Sequence, residues 1–127
     1  MTNVRGGTLT LGRGDDAEFT PVEALLAAIA GCTSVDVDEV TTRRAEPDSF
    51  VVDCEGIKVS DDDGSHLSKV DITFRLEFPD TDQGRAAAGM VERVVRLSHE
   101  KLCTVSRTVM LPTPVRSIVG DTVIDGH

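Results

Sequence analysis

The chain has 127 residues, 39% of them hydrophobic and 28% charged, enough for one α+β-sized domain over residues 1–127 that needs no structural metal or disulfide. With 22 acids against 13 Lys and Arg the formal charge is −9; together with the absence of Trp and Tyr, this disfavours nucleic acid and anionic membrane surfaces as partners. No apolar run approaches the ~20 residues of a membrane span and the first residues lack the apolar core of a secretory signal, so a cytoplasmic location is expected.

Residues 7–11 read as a short strand after a Gly-Gly turn, and residues 12–18 as a polar loop. The strongest local signal follows. Thr20 is suited to an N-cap, Pro21 to the first helical position, and Glu23 to the far end of a capping box, with Phe19 placed for a hydrophobic staple. Leu25, Leu26, Ala28, Ile29, Cys32 and Val40 recur at helical spacing, which predicts a helix from Pro21 to about Arg44. Arg43 and Arg44 then complement the negative end of its dipole. The first half of this helix is almost wholly small or apolar, so burial on most sides is expected.

Residues 49–59 predict a strand with Phe50, Val52 and Cys54 on one face. Asp61-Asp62-Asp63-Gly64 predicts a hairpin turn. Residues 67–78 alternate throughout, with Val70, Ile72, Phe74, Leu76 and Phe78 facing inward. A second helix is predicted over residues 82–97, with Ala87, Met90, Val91, Val94 and Leu97 as its apolar stripe, and Ser98 capping a short helical segment. The β-branched stretch 105–119, interrupted by Pro112 and Pro114, predicts an edge strand or two short strands. The last residues read as frayed. The order gives an α+β fold with mostly antiparallel pairing. One small sheet covers only one side of so apolar a helix, which predicts a homodimer with the long helices at its centre.

Three cysteines, Cys32, Cys54 and Cys103, are an odd number for a disulfide framework. Cys54 alternates with Phe50 and Val52 and reads as core. Cys32 and Cys103 are open to two readings, as a reactive pair brought together by the fold or as buried packing residues. His99 and Cys103 stand four apart, but the usual four metal ligands are not available, so no metal is expected. His66 and His127 read as solvated.

Pro21 to Val37 (PVEALLAAIAGCTSVDV) resembles the central-helix motif of the OsmC/Ohr family of thiol peroxidases. Glu100 to Thr108 (EKLCTVSRT) resembles its second-cysteine motif. The resemblance implies an intertwined homodimer with an antiparallel sheet packed on a long central helix and sites at the subunit interface. It implies that Cys32 is the peroxidatic nucleophile and Cys103 the resolving thiol, with a hydroperoxide as substrate, a dithiol (in some members lipoyl-linked) as reductant, and no cofactor. Such a nucleophile needs a depressed pKa, supplied by a nearby cation. Two departures stand out. Val22 occupies the position of the glutamate in the best-known peroxidase members, with Glu23 on the opposite side of the helix from Cys32 and ~13 Å along its axis, and neither Arg5 nor Arg13 aligns with the activating arginine. Asp36, one turn after Cys32 on the same face, raises a thiol's pKa. Both features resemble the less-characterised branch of the family. They leave room for an alternative in which the dimer is not an enzyme but binds a small apolar or thiol-reactive ligand between its subunits.

Overall fold

Thr20 opens the first helix, α1 (Pro21–Thr41), with both halves of the capping box formed. The Glu23 amide donates to Thr20 Oγ1 at 3.2 Å, and the Thr20 amide donates to Glu23 Oε1 at 2.9 Å. These bonds satisfy two amides that a helix start otherwise leaves without partners. The computed structural model describes residues 1–125, so His127 lies outside it. After α1 come strands β1 (Ser49–Asp61) and β2 (Gly64–Glu77), and helices α2 (Asp82–Ala88) and α3 (Val91–Leu97). A π-helical turn (Ser98–Leu102) leads into helix α4 (Thr104–Met110), and strands β3 (Arg116–Val119) and β4 (Thr122–Asp125) end the described chain.

The architecture is α+β with antiparallel pairing, as expected, but the strands form two separate hairpins, β1–β2 and β3–β4. The strand expected over residues 7–11 is reduced to one bridge between Thr2 and Thr8. Gly6 and the Asn3 side chain, which accepts from the amides of Arg5 and Gly7, hold that segment in a local turn. In the long hairpin the inward positions of β2 are those expected: Val70, Ile72, Phe74 and Leu76 are half-buried. Gly64 supplies the positive φ of 119° that closes the turn, and the Asp63 amide bonds back to Asp61 Oδ1 at 2.9 Å. The register slips between Ile57 and Lys58, leaving Ser68 as the extra residue of a β-bulge. At Gly56 the helix crosses the hairpin. A Cβ there would come within 3.3 Å of Leu26 and 3.1 Å of Leu67, closer than ordinary van der Waals contact, so the two leucine side chains would have to give way.

Helix α1 packs against β1, α3, the π-turn and α4. Its buried residues, Ile29, Thr33, Val37 and Thr41, recur every fourth position as one narrow stripe. Burial on most sides is not seen within the protomer, where Val22, Leu25 and Val35 are exposed. The helix also stops short of Arg43 and Arg44, in a turn where the amides of Arg44 and Ala45 both bond to the Thr41 carbonyl. The expected second helix is broken in two. Gly89 ends α2, and the amides of Gly89 and Met90 close the turn on Arg85 and Ala87.

Residues 104–110 form a helix where a strand was expected. Strand β3 lies within the stretch expected to be extended, whereas β4 falls among the residues read as frayed; the two form a hairpin that packs on no other element to a comparable extent. Its Ile118, Val119, Val123 and Ile124 are all about half or more exposed. A hairpin of this kind is marginal alone in water. The protomer exposes 9548 Å², against about 6,600 Å² for a compact monomer of 13.6 kDa.

Candidate functional site

Cys32 lies in the middle of α1, followed by Thr33 and, one turn on, Asp36. The π-turn delivers Cys103 to the same place. Its wider winding lets the Cys103 amide donate to the Ser98 carbonyl at 2.8 Å. The backbone then leaves the helical region at Cys103 (φ −81°, ψ 105°), whose sulfur caps α4 by accepting from the Ser106 amide at 3.3 Å. Cys103 is thus fixed from both sides and fully buried, whereas Cys32 is half-buried and is the more accessible sulfur. The fold brings the two thiols within hydrogen-bonding range of each other.

Their electrostatics differ from the sequence expectation. The Cys32 thiol is pushed up, first because it serves as hydrogen-bond donor to Cys103, then by burial and by the charges of Cys103 and Asp36; the Val105 amide opposes this only in part. Burial pushes Cys103 up too, but hydrogen bonding from Cys32, Ser106 and Thr33 outweighs it, and Cys103 is held below the usual thiol range. The acidic member of the pair is therefore Cys103, not Cys32. The groups responsible are a thiol, two hydroxyls and an amide. No cation stands among them, and Arg5 and Arg13 are exposed in the segments before α1.

Around the sulfurs lies a set of polar groups that sequence reasoning did not single out. Ser98 is fully buried, and its hydroxyl is 2.6 Å from Asp36 Oδ2 and 3.3 Å from Thr33 Oγ1. Ser106 is 3% exposed. Its hydroxyl is close enough to favour the Cys103 thiolate, but it makes no well-aligned hydrogen bond. The only sequence signal for these residues was the crowding of Ser and Thr next to each cysteine. Ser106 also lines a cavity of about 350 Å³, walled by Ile29, Val70, Ile72 and Val109 with His99 at its edge. A neighbouring cavity of about 490 Å³ is lined by Val22, Leu25, Leu67 and Val109.

The remaining candidates fall elsewhere. Glu23 is engaged in the capping box, and its hydrogen bonds to Thr20 hold its carboxyl below the ordinary range. Cys54 is half-buried on the inner face of β1, where burial pushes its thiol up. Among the described residues, no group of three His, Cys, Asp or Glu is placed to hold a metal ion.

The family model for OsmC-like proteins matches residues 14–117. The chain belongs to the OsmC-like protein family. An OsmC-like protein of unknown function from Vibrio cholerae shares the fold, with a TM-score of 0.60 and 21% identity over 76% of this chain and 61% of that one. This chain thus spans about three fifths of that protein's length. A second solved structure, from structural genomics, has a TM-score of 0.57 and 26% identity, covering 85% of this chain and 77% of the other. No functionally curated protein matches the sequence. Among the described residues, no helix of this OsmC-like chain is long and apolar enough to cross a membrane.

Proposed function

We propose that this OsmC-like protein is a dithiol-dependent peroxidase whose Cys32 and Cys103 cycle between dithiol and disulfide while reducing a hydroperoxide. The observation that supports the reading is the approach of two sulfurs remote in sequence, one half-buried with its thiol pushed up, the other fully buried and held below the usual thiol range. That division removes the need for a cation beside Cys32. As the peroxide arrives, Cys32 gives its proton to the Cys103 thiolate and attacks the distal peroxide oxygen. The O–O bond breaks, Cys32 becomes a sulfenic acid, and the leaving alkoxide takes the proton back from Cys103. The regenerated Cys103 thiolate then attacks the sulfenic sulfur, expelling hydroxide and forming the disulfide. A small dithiol restores the pair by exchange.

The active unit in this reading is a homodimer. About 3,000 Å² of surface beyond that of a compact monomer supports it, as does the free-standing apolar β3–β4 hairpin. The exposed flank of α1, with Val22, Leu25 and Val35, is the face a second copy would cover. Sedimentation velocity at micromolar concentration should give a dimer. A monomer at that concentration would remove this part of the proposal.

Turnover of cumene hydroperoxide and hydrogen peroxide, with dihydrolipoamide or dithiothreitol as reductant, tests the activity. The wild type should turn over, and Cys32→Ser and Cys103→Ser should not. Wild-type turnover no faster than Cys32→Ser refutes it. Two observations favour a second reading, a non-enzymatic binder of a small apolar or thiol-reactive ligand: the raised Cys32 thiol, and the apolar cavity beside Val22. It predicts a Cys32 that survives equimolar peroxide unmodified.

A further inference from the structure

The Ser106 hydroxyl takes no part in the redox steps above, yet it is buried without a partner. The residue is 3% exposed, and no group among the described residues is placed to bond its side chain. The Cys103 sulfur is near, but it makes no well-aligned hydrogen bond with this hydroxyl. A buried hydroxyl left unpaired is unfavourable, and native proteins keep few of them. Serine turns about a single side-chain bond between staggered positions, so a hydroxyl unpaired within the protein can swing toward a ligand beside it.

Ser106 also lines the cavity of about 350 Å³, together with Ile29 of α1, Val70 and Ile72 of β2, and Val109 of α4. Its other polar lining residues, Ser68, Lys69 and His99, are exposed, where water satisfies them; Ser106 is the buried one. Lys69 is already paired with Asp71 at 3.2 Å, and no Asp or Glu lines the cavity, so the lining suits a neutral molecule. A cavity of about 150 Å³ admits benzene, so this one has room for a branched alkyl or single-ring body. Val22, Leu25 and Val35, on the face assigned to a second copy, do not line it. Neither sulfur of the pair lines it, but the Ser106 amide lies 3.3 Å from Cys103 Sγ, so Ser106 joins the cavity to the thiol site.

We propose that Ser106 anchors a ligand in this cavity, its hydroxyl bonding the terminal O–H group of a neutral molecule whose compact apolar body lies against Ile29, Val70, Ile72 and Val109. The proposal deepens the dithiol reading and rests on it for the ligand's place in a reaction. A small alkyl or aryl-alkyl hydroperoxide enters the site, and the corresponding alcohol leaves it. Ser106 is there a specificity residue: it holds the oxygen end of the molecule and makes or breaks no covalent bond.

The experiment is a methyl NMR titration of the reduced full chain with two probes. One is cumyl alcohol, the alcohol of cumene hydroperoxide; the other is cumene, which has the same body without the hydroxyl. Both should shift the methyl resonances of Ile29, Val70 and Val109. The ratio of alcohol to hydrocarbon affinity should fall about fivefold in Ser106→Ala, the worth of roughly one net hydrogen bond. A purely structural role for the hydroxyl would weaken both probes alike and leave the ratio where it was. An unchanged ratio therefore overturns the proposal. In the wild type, failure of the alcohol to saturate, or shifts confined to other residues, does the same without any variant. Val109→Phe, which fills the cavity, should remove binding of both probes, and undiminished binding in it would place them elsewhere and refute the site. The titration needs no peroxide. Binding that depends on Ser106, with no turnover of cumene hydroperoxide, would refute the peroxidase reading alone. Turnover with no such dependence would refute the anchor alone.

Discussion

Replacing Cys103 by serine should make Cys32 more reactive, although it destroys the catalytic pair. In the native site the main force holding the Cys32 proton in place is its hydrogen bond to Cys103, joined by the charge of that partner. A hydrogen bond to a charged group contributes about 1.5–3 kcal/mol. Cys32 is half-buried rather than enclosed, so solvent screening favours the lower end of that range. About 1.4 kcal/mol corresponds to a tenfold change in thiolate population. Burial and Asp36 still oppose ionisation in the variant, and the Val105 amide still favours it. The assay is the rate of iodoacetamide labelling at Cys32, read by peptide mass spectrometry at slightly acidic pH. Cys103→Ser should label about tenfold faster than the reduced wild type, and with excess peroxide it should run on to the sulfinic acid because nothing resolves the sulfenate. Slower or unchanged labelling would show that Cys103 does not hold the Cys32 proton, and the mechanism would fail at its first step.

Three further outcomes follow from the fold. Thr20→Ala removes the hydroxyl of the capping box at the start of α1 and should cost about 1 kcal/mol in urea unfolding, with the thiol site intact in the folded fraction. Gly56→Val forces a branched side chain between Leu26 and Leu67 where even a Cβ is tight, so it should lower the thermal midpoint by several degrees, and more than Ser68→Ala at the nearby bulge. Ile118→Lys with Ile124→Lys, on the free-standing hairpin, should shift the sedimenting species from dimer to monomer while the protomer's helical circular dichroism persists.

The start of α1 was legible because its signals are local: a hydroxyl, a proline and a glutamate at fixed spacing act on the nearest backbone amides. The alternation of β2 was legible for the same reason, since period two needs no knowledge of what covers the inner face. The bulge at Ser68 was not, because one extra residue in a strand leaves its alternation almost unchanged. Helix α4 was read as strand from Val105, Thr108 and Val109, whose branched side chains favour extended backbone only weakly. The burial of Ser106 and the cap made by a cysteine sulfur, an unusual cap residue, override that preference. At the site, the two motifs singled out Cys32 and Cys103. What favours the Cys103 thiolate, besides Cys32, is the Ser106 hydroxyl and amide and the Thr33 hydroxyl, which come from α4 and α1 and meet only in the fold.

The central claim is that the two sulfurs act as one redox pair, and oxidation of the reduced protein with one equivalent of hydrogen peroxide tests it most directly. Intact mass followed by non-reducing peptide mapping should show the loss of two hydrogens and a single linked peptide joining Cys32 to Cys103, with Cys54 still free. Recovery of Cys32 and Cys103 as separate peptides, with both thiols unmodified or with oxygen retained on either sulfur, would contradict the account.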